Sequence, residues 1–308
     1  MLKLLLGWVL VMGLIVLAIR LIWPAETGRT TGDATRTAVK GTSGDESVVK
    51  LNQALAPCSE VLNAFLDAGT PEARNQFVLN PVSTAGPMAR FYALNPLSRI
   101  DPRTVRNTAN SLLDLPTGQA LESLWVSTDG RALDCVFVQQ KGEWHLDWEH
   151  FARYGDYPWS LFLAGDGNSE AEFRLLVRER LAQERSESSH MSLVFYAPRF
   201  GYPELIGSAS PEFLLKRDSE DGQLLSAAFT KRQLGESLYG STLPYLEPDG
   251  MLRVRVKIRR LNPASDTAQK FELLKVIACH GLALDDPGVI PLNPAAEAAA
   301  ETPPPPAN

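Results

Sequence analysis

Cysteine and histidine are scarce in this sequence, three of the first and four of the second among 308 residues. Cys58, Cys135 and Cys279 are too few and too scattered for a disulfide framework or for a zinc site with paired ligand spacing. A single Cys58–Cys135 bridge stays open beside the alternative of buried free thiols. His190 and His280 stand alone, and His280 beside Cys279 projects to the opposite side of a strand, so neither offers a ligand pair. An excess of basic residues is also missing. With a net charge of -6 and a pI near 5.4, the chain has no general cationic surface for neutralising phosphates, and no nucleic-acid partner is expected. Phosphate loops, G-x-S-x-G, H-E-x-x-H and G-x-G-x-x-G sequences are absent. No catalytic residue, metal ligand or cofactor is therefore assigned, and the expectation is a protein that is not an enzyme.

What is present is an ordinary globular composition, 44% apolar and 21% charged, on a chain long enough for two packed domains. It is preceded by a run of a different kind. Residues 4–23, LLLGWVLVMGLIVLAIRLIW, supply the roughly 20 apolar residues that cross a hydrocarbon core as a helix. Arg20 lies near the distal end, where its side chain can snorkel, and Trp23 sits where an interfacial anchor would. A cleaved signal peptide is the competitor, but cleavage after Ala25 puts bulky Trp23 where a small residue is wanted. Lys3 before the run and Arg20, Arg29, Arg36 and Lys40 within or after it favour a cytoplasmic C-terminal part by charge. A short leader followed by a hydrophobic run reads instead as a signal anchor, and long domains translocate largely regardless of charge. The expectation is a single-pass membrane protein, residues 1–24 forming the anchor and the globular part lying outside the cytoplasm.

Residues 25–46, rich in Thr, Gly, Ser and Asp, read as a flexible linker. At the other end 288–308, with its Ala-rich and PPPP stretches, reads as a disordered tail. Between them, apolar residues recur at helical spacing from Ser47 to Ala68, although Pro57 should kink that helix or start a new one. Gly69-Thr70-Pro71 marks a helix stop, an N-cap and a first helical position, followed by a shorter helix through Phe77. A loop-rich passage with Pro81, Pro87, Pro96 and Pro102 holds a short helix near Met88. From Ala120 to Glu149 the period falls to two. Thr128-Asp129-Gly130 and Lys141-Gly142 separate three strands, the last alternating Trp144, Leu146 and Trp148 with His145, Asp147 and Glu149.

The segments FLDAGTPEARNQFV, FYALNP and LWVSTDGRALDCVFVQQKGEWHLDWEHF together resemble the nuclear-transport-factor-2-like, or cystatin-like, superfamily. Within it the passage looks like membrane-anchored bacterial proteins that pair such a domain with a second β-rich one. The resemblance implies a helix-plus-curved-antiparallel-sheet domain over 47–165, and it rests on packing features that imply little chemistry.

Residues 166–287 read as a second, β-rich α+β domain. Strand candidates are Phe173–Leu181, Met191–Tyr196, Phe213–Lys216, Leu252–Leu261 and Phe271–Ala283, with a helix over Gln223–Leu238. The fold class is thus α+β. In Leu252–Leu261 one face is apolar and the other carries Arg253, Arg255, Lys257 and Arg259, candidates for contact with an anionic partner. Tyr154, Tyr157, Trp159 and Phe162 read as a packing cluster joining the two parts. His145, Asp147, Glu149 and His150 are the densest titratable cluster, and with Trp144, Leu146 and Trp148 turned to the core its carboxylates belong in solvent. The functional expectation is a membrane-anchored binding or scaffold protein that contacts an envelope or membrane protein. The alternatives are an enzyme with Asp147 or His145 as base in a cavity of the first domain, and a module that contacts lipid or polyanion through the basic strand.

Overall fold

In the computed structural model, residues 43–97, 99–180, 189–261 and 270–291 are described. The expected membrane span, nearly all of the expected linker and the PPPP stretch lie outside them. Among the described residues no helix is long and apolar enough to cross a membrane.

Helix α1, Ser43–Asp67, runs through Pro57 without a new start, so of the two expectations at that proline, a kink or a new helix, the new helix does not form. Its buried stripe is Ala54, Cys58, Leu62 and the adjacent pair Phe65 and Leu66, each step from Ala54 to Leu62 being four and the pair lying three and four beyond it. Burial of that stripe outweighs the one backbone hydrogen bond that proline removes. Helix α2, Pro71–Arg74, begins as expected, with the Thr70 hydroxyl accepting from Ala73 N at 3.2 Å and Pro71 in the first turn. Helix α3, Pro81–Leu94, covers the helix expected near Met88.

Four antiparallel strands follow in chain order: β1 Val105–Leu115, β2 Gly118–Ser127, β3 Ala132–Gln140 and β4 Glu143–Leu146. Leu121 and Trp125 of β2, with Leu133, Cys135 and Phe137 of β3, pack on α1. The alternate positions Leu113, Leu115, Ala120, Val136 and Val138 pack on the other side, against Leu282 and Leu284. This sheet is therefore covered on both faces, so β3 reads as an almost unbroken apolar run. All three cysteines are buried free thiols. Strand β4 stops at Leu146 because Asp147 caps a one-turn helix, α4 Trp148–Phe151. A second short helix, α5 Trp159–Leu163, leads into the other sheet.

That sheet contains β5 Glu170–Glu179, β6 His190–Pro198, β7 Ile206–Ala209, β8 Phe213–Lys216, β9 Met251–Leu261 and β10 Lys270–Ala278. The order is β10-β9-β5-β6-β7, with β8 also pairing β6, and every pairing is antiparallel. Helix α6, Glu220–Gln233, lies on one face, where Leu224, Leu225 and Phe229 join Phe173, Leu175, Val254 and Val256. Trp159 and Phe162 enter the same core, while Tyr154 belongs to the core beneath α1. The expected joining cluster is thus divided between two cores. The opposite face of β5 and β9, carrying Arg174, Arg253 and Arg255, turns toward the first sheet. The boundary drawn at residue 288 is corrected, since Val289 is buried in the second core. The helix also begins at Ser43, inside the stretch expected to be linker.

Candidate functional site

Between the sheets lies a cavity of about 120 Å³. Its walls come from β1, β2 and β3 of the first sheet, His150 of α4, the end of α6 with the loop 236–247 that follows it, the start of β9, and the segment 279–282 after β10. Most of the lining is apolar, with Leu113, Leu124, Leu238, Leu243, Met251 and Leu252 prominent. Glu122 and Asp134 also face it, because they occupy the strand positions opposite those that pack on α1.

Asp134 is the hub. Its Oδ2 accepts from Arg253 Nη1 at 2.6 Å and Arg153 Nη2 at 2.9 Å, and His150 Nε2 stands 3.3 Å away. Burial alone would raise the Asp134 carboxyl, but Arg253 foremost, with Arg153 among the other partners, reverses this and holds it well below its usual range. Arg253 also pairs with Glu247 through Nε. Burial lowers His150, so the ring is neutral at pH 7. Glu122 accepts from the Ser241 hydroxyl. Burial, and then the Asp134 carboxylate, push Glu122 up to about 7. The carboxylates thus differ in state: Asp134 is locked as an anion, while Glu122 titrates near neutrality.

His280 also lines the cavity, but its hydrogen bonds are used within the chain. Nδ1 accepts from Leu282 N at 3.1 Å and Nε2 donates to Asp286 O at 2.7 Å. Burial lowers it to about 4. Tyr239 Oη donates to Asp286 Oδ1 at 2.6 Å.

The sequence-derived candidates fall elsewhere. Asp147 and Glu149 are not in solvent, which corrects that expectation. Asp147 is 1% exposed. Its Oδ1 accepts from His150 N at 3.0 Å and its Oδ2 from Ala283 N at 2.8 Å, so it caps α4 and ties it to the segment after β10. Glu149 pairs with Arg174, whose Nε donates to Gly281 O at 2.9 Å. His145 stands 4.0 Å from Glu143 at the edge of the sheet. Only His150 of this cluster reaches the cavity.

The basic row does share one face of β9, but it is not a free cationic surface. Arg253 is in the Asp134 network. Arg255 pairs with Glu172 at 2.8 Å and donates to Leu284 O at 2.9 Å. Lys257 pairs with Glu170 at 3.2 Å, and Arg259 with Glu170 at 2.7 Å and Glu272 at 3.3 Å. The partners come from the neighbouring strands, where β5 alternates Glu170, Glu172 and Arg174 with Ala171, Phe173 and Leu175. That alternation is the sequence signal that would have foretold the neutralisation.

The chain matches no protein-family model, no curated protein and no solved structure. The chemistry must therefore be read from the cavity itself. Among the described residues no group of three or more His, Cys, Asp or Glu is arranged to hold a metal ion. What the lining can do is enclose a small apolar body, accept hydrogen bonds through Glu122 and exchange one proton there near pH 7. The cavity residues that the sequence left unassigned include Glu122, Asp134 and Glu247, and Arg153 supports Asp134 from outside the lining.

Proposed function

We propose that this chain is a single-pass membrane-anchored binding protein, non-catalytic, that takes a small and mostly apolar ligand into the cavity between its two sheets. The observation that carries the reading is a partly open, chiefly apolar cavity with a few convergent polar groups, the general description of a ligand site. The anchor is the apolar run 4–23, long enough to span a bilayer, and the globular part is placed outside the cytoplasm on the signal-anchor argument. The nuclear-transport-factor-2-like reading of 47–165 belongs to the same proposal, supported by a long helix packed on a four-stranded antiparallel sheet. An envelope or membrane protein is the partner to which such a module would report its ligand.

The test uses toluene as the probe and the full chain in membranes and in detergent. Toluene should raise the melting temperature saturably, and Leu124→Trp, which fills the cavity from β2, should abolish that rise while retaining the circular dichroism of the fold. The protein should sediment with membranes and resist carbonate extraction. A wild-type protein unmoved by any cavity-sized probe would overturn the ligand-site reading, and recovery in the soluble fraction would overturn the anchor.

One observation favours a second reading, an acid/base enzyme. A carboxyl pushed up to about 7 lies where a general acid or base works best at neutral pH. On that reading Glu122→Gln would abolish turnover of a bound compound followed by mass spectrometry, whereas on the first no turnover is seen with either protein.

A further inference from the structure

The charges around the cavity do not balance, and the imbalance selects a ligand class. Asp134 and Glu247 are answered by Arg153 and Arg253, two carboxylates against two guanidinium groups in direct contact. Lys231 and Glu236, which also line the cavity, carry opposite signs. Glu122 is left over, its one hydrogen-bond donor among the described residues a neutral hydroxyl, Ser241. Among the described lining residues the cations are Arg253, already paired with Asp134 and Glu247, and Lys231, and the four carboxyl groups Glu122, Asp134, Glu236 and Glu247 outnumber them, so the lining favours a cation over an anion. The neutral groups are equally committed. His280 is bonded at both ring nitrogens, and Tyr245 Oη donates to Glu236 O at 2.6 Å while its ring lies under Arg232.

A second observation points the same way. His150 is 2% exposed and lines the cavity, yet its Nδ1 has no hydrogen-bond partner among the described residues. Arg153 Nη1 stands 3.3 Å from Nε2 but finds an acceptor in the His150 carbonyl at 3.2 Å. The Nε2 hydrogen is then turned to Asp134, and Nδ1 is left as a lone pair, an acceptor rather than a donor. The wall beside it is glycine, Gly281, where an added Cβ would come within 3.2 Å of that nitrogen. An acceptor with no donor and a carboxyl whose donor is a neutral hydroxyl, in a chiefly apolar cavity, fit a ligand whose polar end donates.

We propose that the cavity binds a small aliphatic or aromatic amine in its ammonium form, the charged nitrogen held by the Glu122 carboxylate and the apolar body enclosed by Leu113, Leu124, Leu243 and Met251. An engineered cavity of about 150 Å³ holds benzene, so a body of about six heavy atoms matches the space here. This rests on the cavity being a ligand site, and names what the ligand must carry. Binding requires Glu122 to be ionised, and the groups that set its state are Asp134 from β3, Arg253 from β9, Glu247 and Ser241 from the loop above it. Since burial and Asp134 hold that carboxyl at about 7 in the free protein, amine uptake expels a proton below that pH.

The experiment is isothermal titration calorimetry of the full chain in nanodiscs with n-pentylamine, pentan-1-ol and pentanoate, from pH 5 to pH 8. Pentylamine should bind at least about tenfold tighter than pentanol at pH 8. Its affinity should fall by about a hundredfold toward pH 5, following the loss of the Glu122 anion, while pentanol binding stays flat. Glu122→Gln should remove the amine preference and its pH dependence and leave pentanol binding in place. If that variant does not fold, the wild-type pH series decides alone. Equal binding of amine and alcohol, or a preference for pentanoate, would overturn the amine assignment and leave the cavity as a ligand site. Binding of none of the three would overturn both.

Discussion

On β2, Ala120, Glu122 and Leu124 share the face turned toward the second sheet, and two of the three are what a covered strand face calls for. The carboxyl between them is not, and its cost depends on pH. Its pKa rises from the ordinary 4.5 to about 7 through burial and the Asp134 carboxylate, so the folded chain holds this proton more tightly than the unfolded one. The stability this confers is complete below pH 4.5 and is lost as the pH rises through about 7, a swing of about 3 kcal/mol. Glu122→Gln keeps the neutral form at every pH. Urea titrations should therefore show the variant close to wild type at pH 4.5 and more stable by about 2–3 kcal/mol at pH 8. His280, lowered to about 4 by burial, works in the opposite sense as the pH falls from 6.5, but equally in both proteins, so it cancels in the difference. A gap between the two that does not change from pH 5 to pH 8 would remove Glu122 from its assigned state.

At the scale of elements, what the sequence reveals depends on how many faces an element covers. Strands β2 and β3 were readable from their alternation, and the start of α2 from Thr70 and Pro71. Strand β1 was not, because it is an edge strand whose Arg106, Asn107, Thr108, Asn110 and Asp114 give little apolar period. The strand expected through Glu149 ends early because Asp147 spends its side chain on capping, which period counting does not see. The cavity was partly legible. In β3, Leu133, Cys135, Val136, Phe137 and Val138 nearly fill both faces, the mark of a strand buried twice over, and Asp134 inside such a run is a polar residue in need of a partner. The partners could not be read, since Arg253 lies more than a hundred residues away. Helix α6 shows a different limit. It starts at Glu220, three residues before the expected Gln223, with Ser219 as N-cap accepting from Gly222 N at 3.1 Å. A Cβ at Gly222 would lie 2.1 Å from Lys216 O and 2.9 Å from Arg217 O, so the preceding turn can pack on the helix only if that residue is glycine. Gly222→Ala should cost about 3 kcal/mol, as overpacking against backbone does, seen as a melting temperature lower by about 6–12 °C. Gly69→Ala, with nothing within 4 Å of the added carbon, should be near neutral.

At the scale of the molecule, the two sheets meet through charge as well as through apolar packing. Arg253 with Asp134, Arg174 with Glu149, and Asp147 with the Ala283 amide each cross from one half of the described chain to the other. Buried pairs of this kind contribute little over well-packed apolar groups, yet removing one partner strands the other without its counter-charge. Asp134→Ala would leave the largely buried Arg153 without its carboxylate partner and Arg253 with Glu247 alone among the described ion-pair partners, and should cost about 3–5 kcal/mol. The distribution of that loss is the informative part. If the sheets unfold as one cooperative unit, the slowest-exchanging amides of β3 and of β9 should lose protection by the same free energy in native-state hydrogen exchange, because both report the same global opening. If β3 alone becomes labile while β9 keeps its protection, the halves fold separately, and the cavity between them is a cleft between two domains rather than the interior of one.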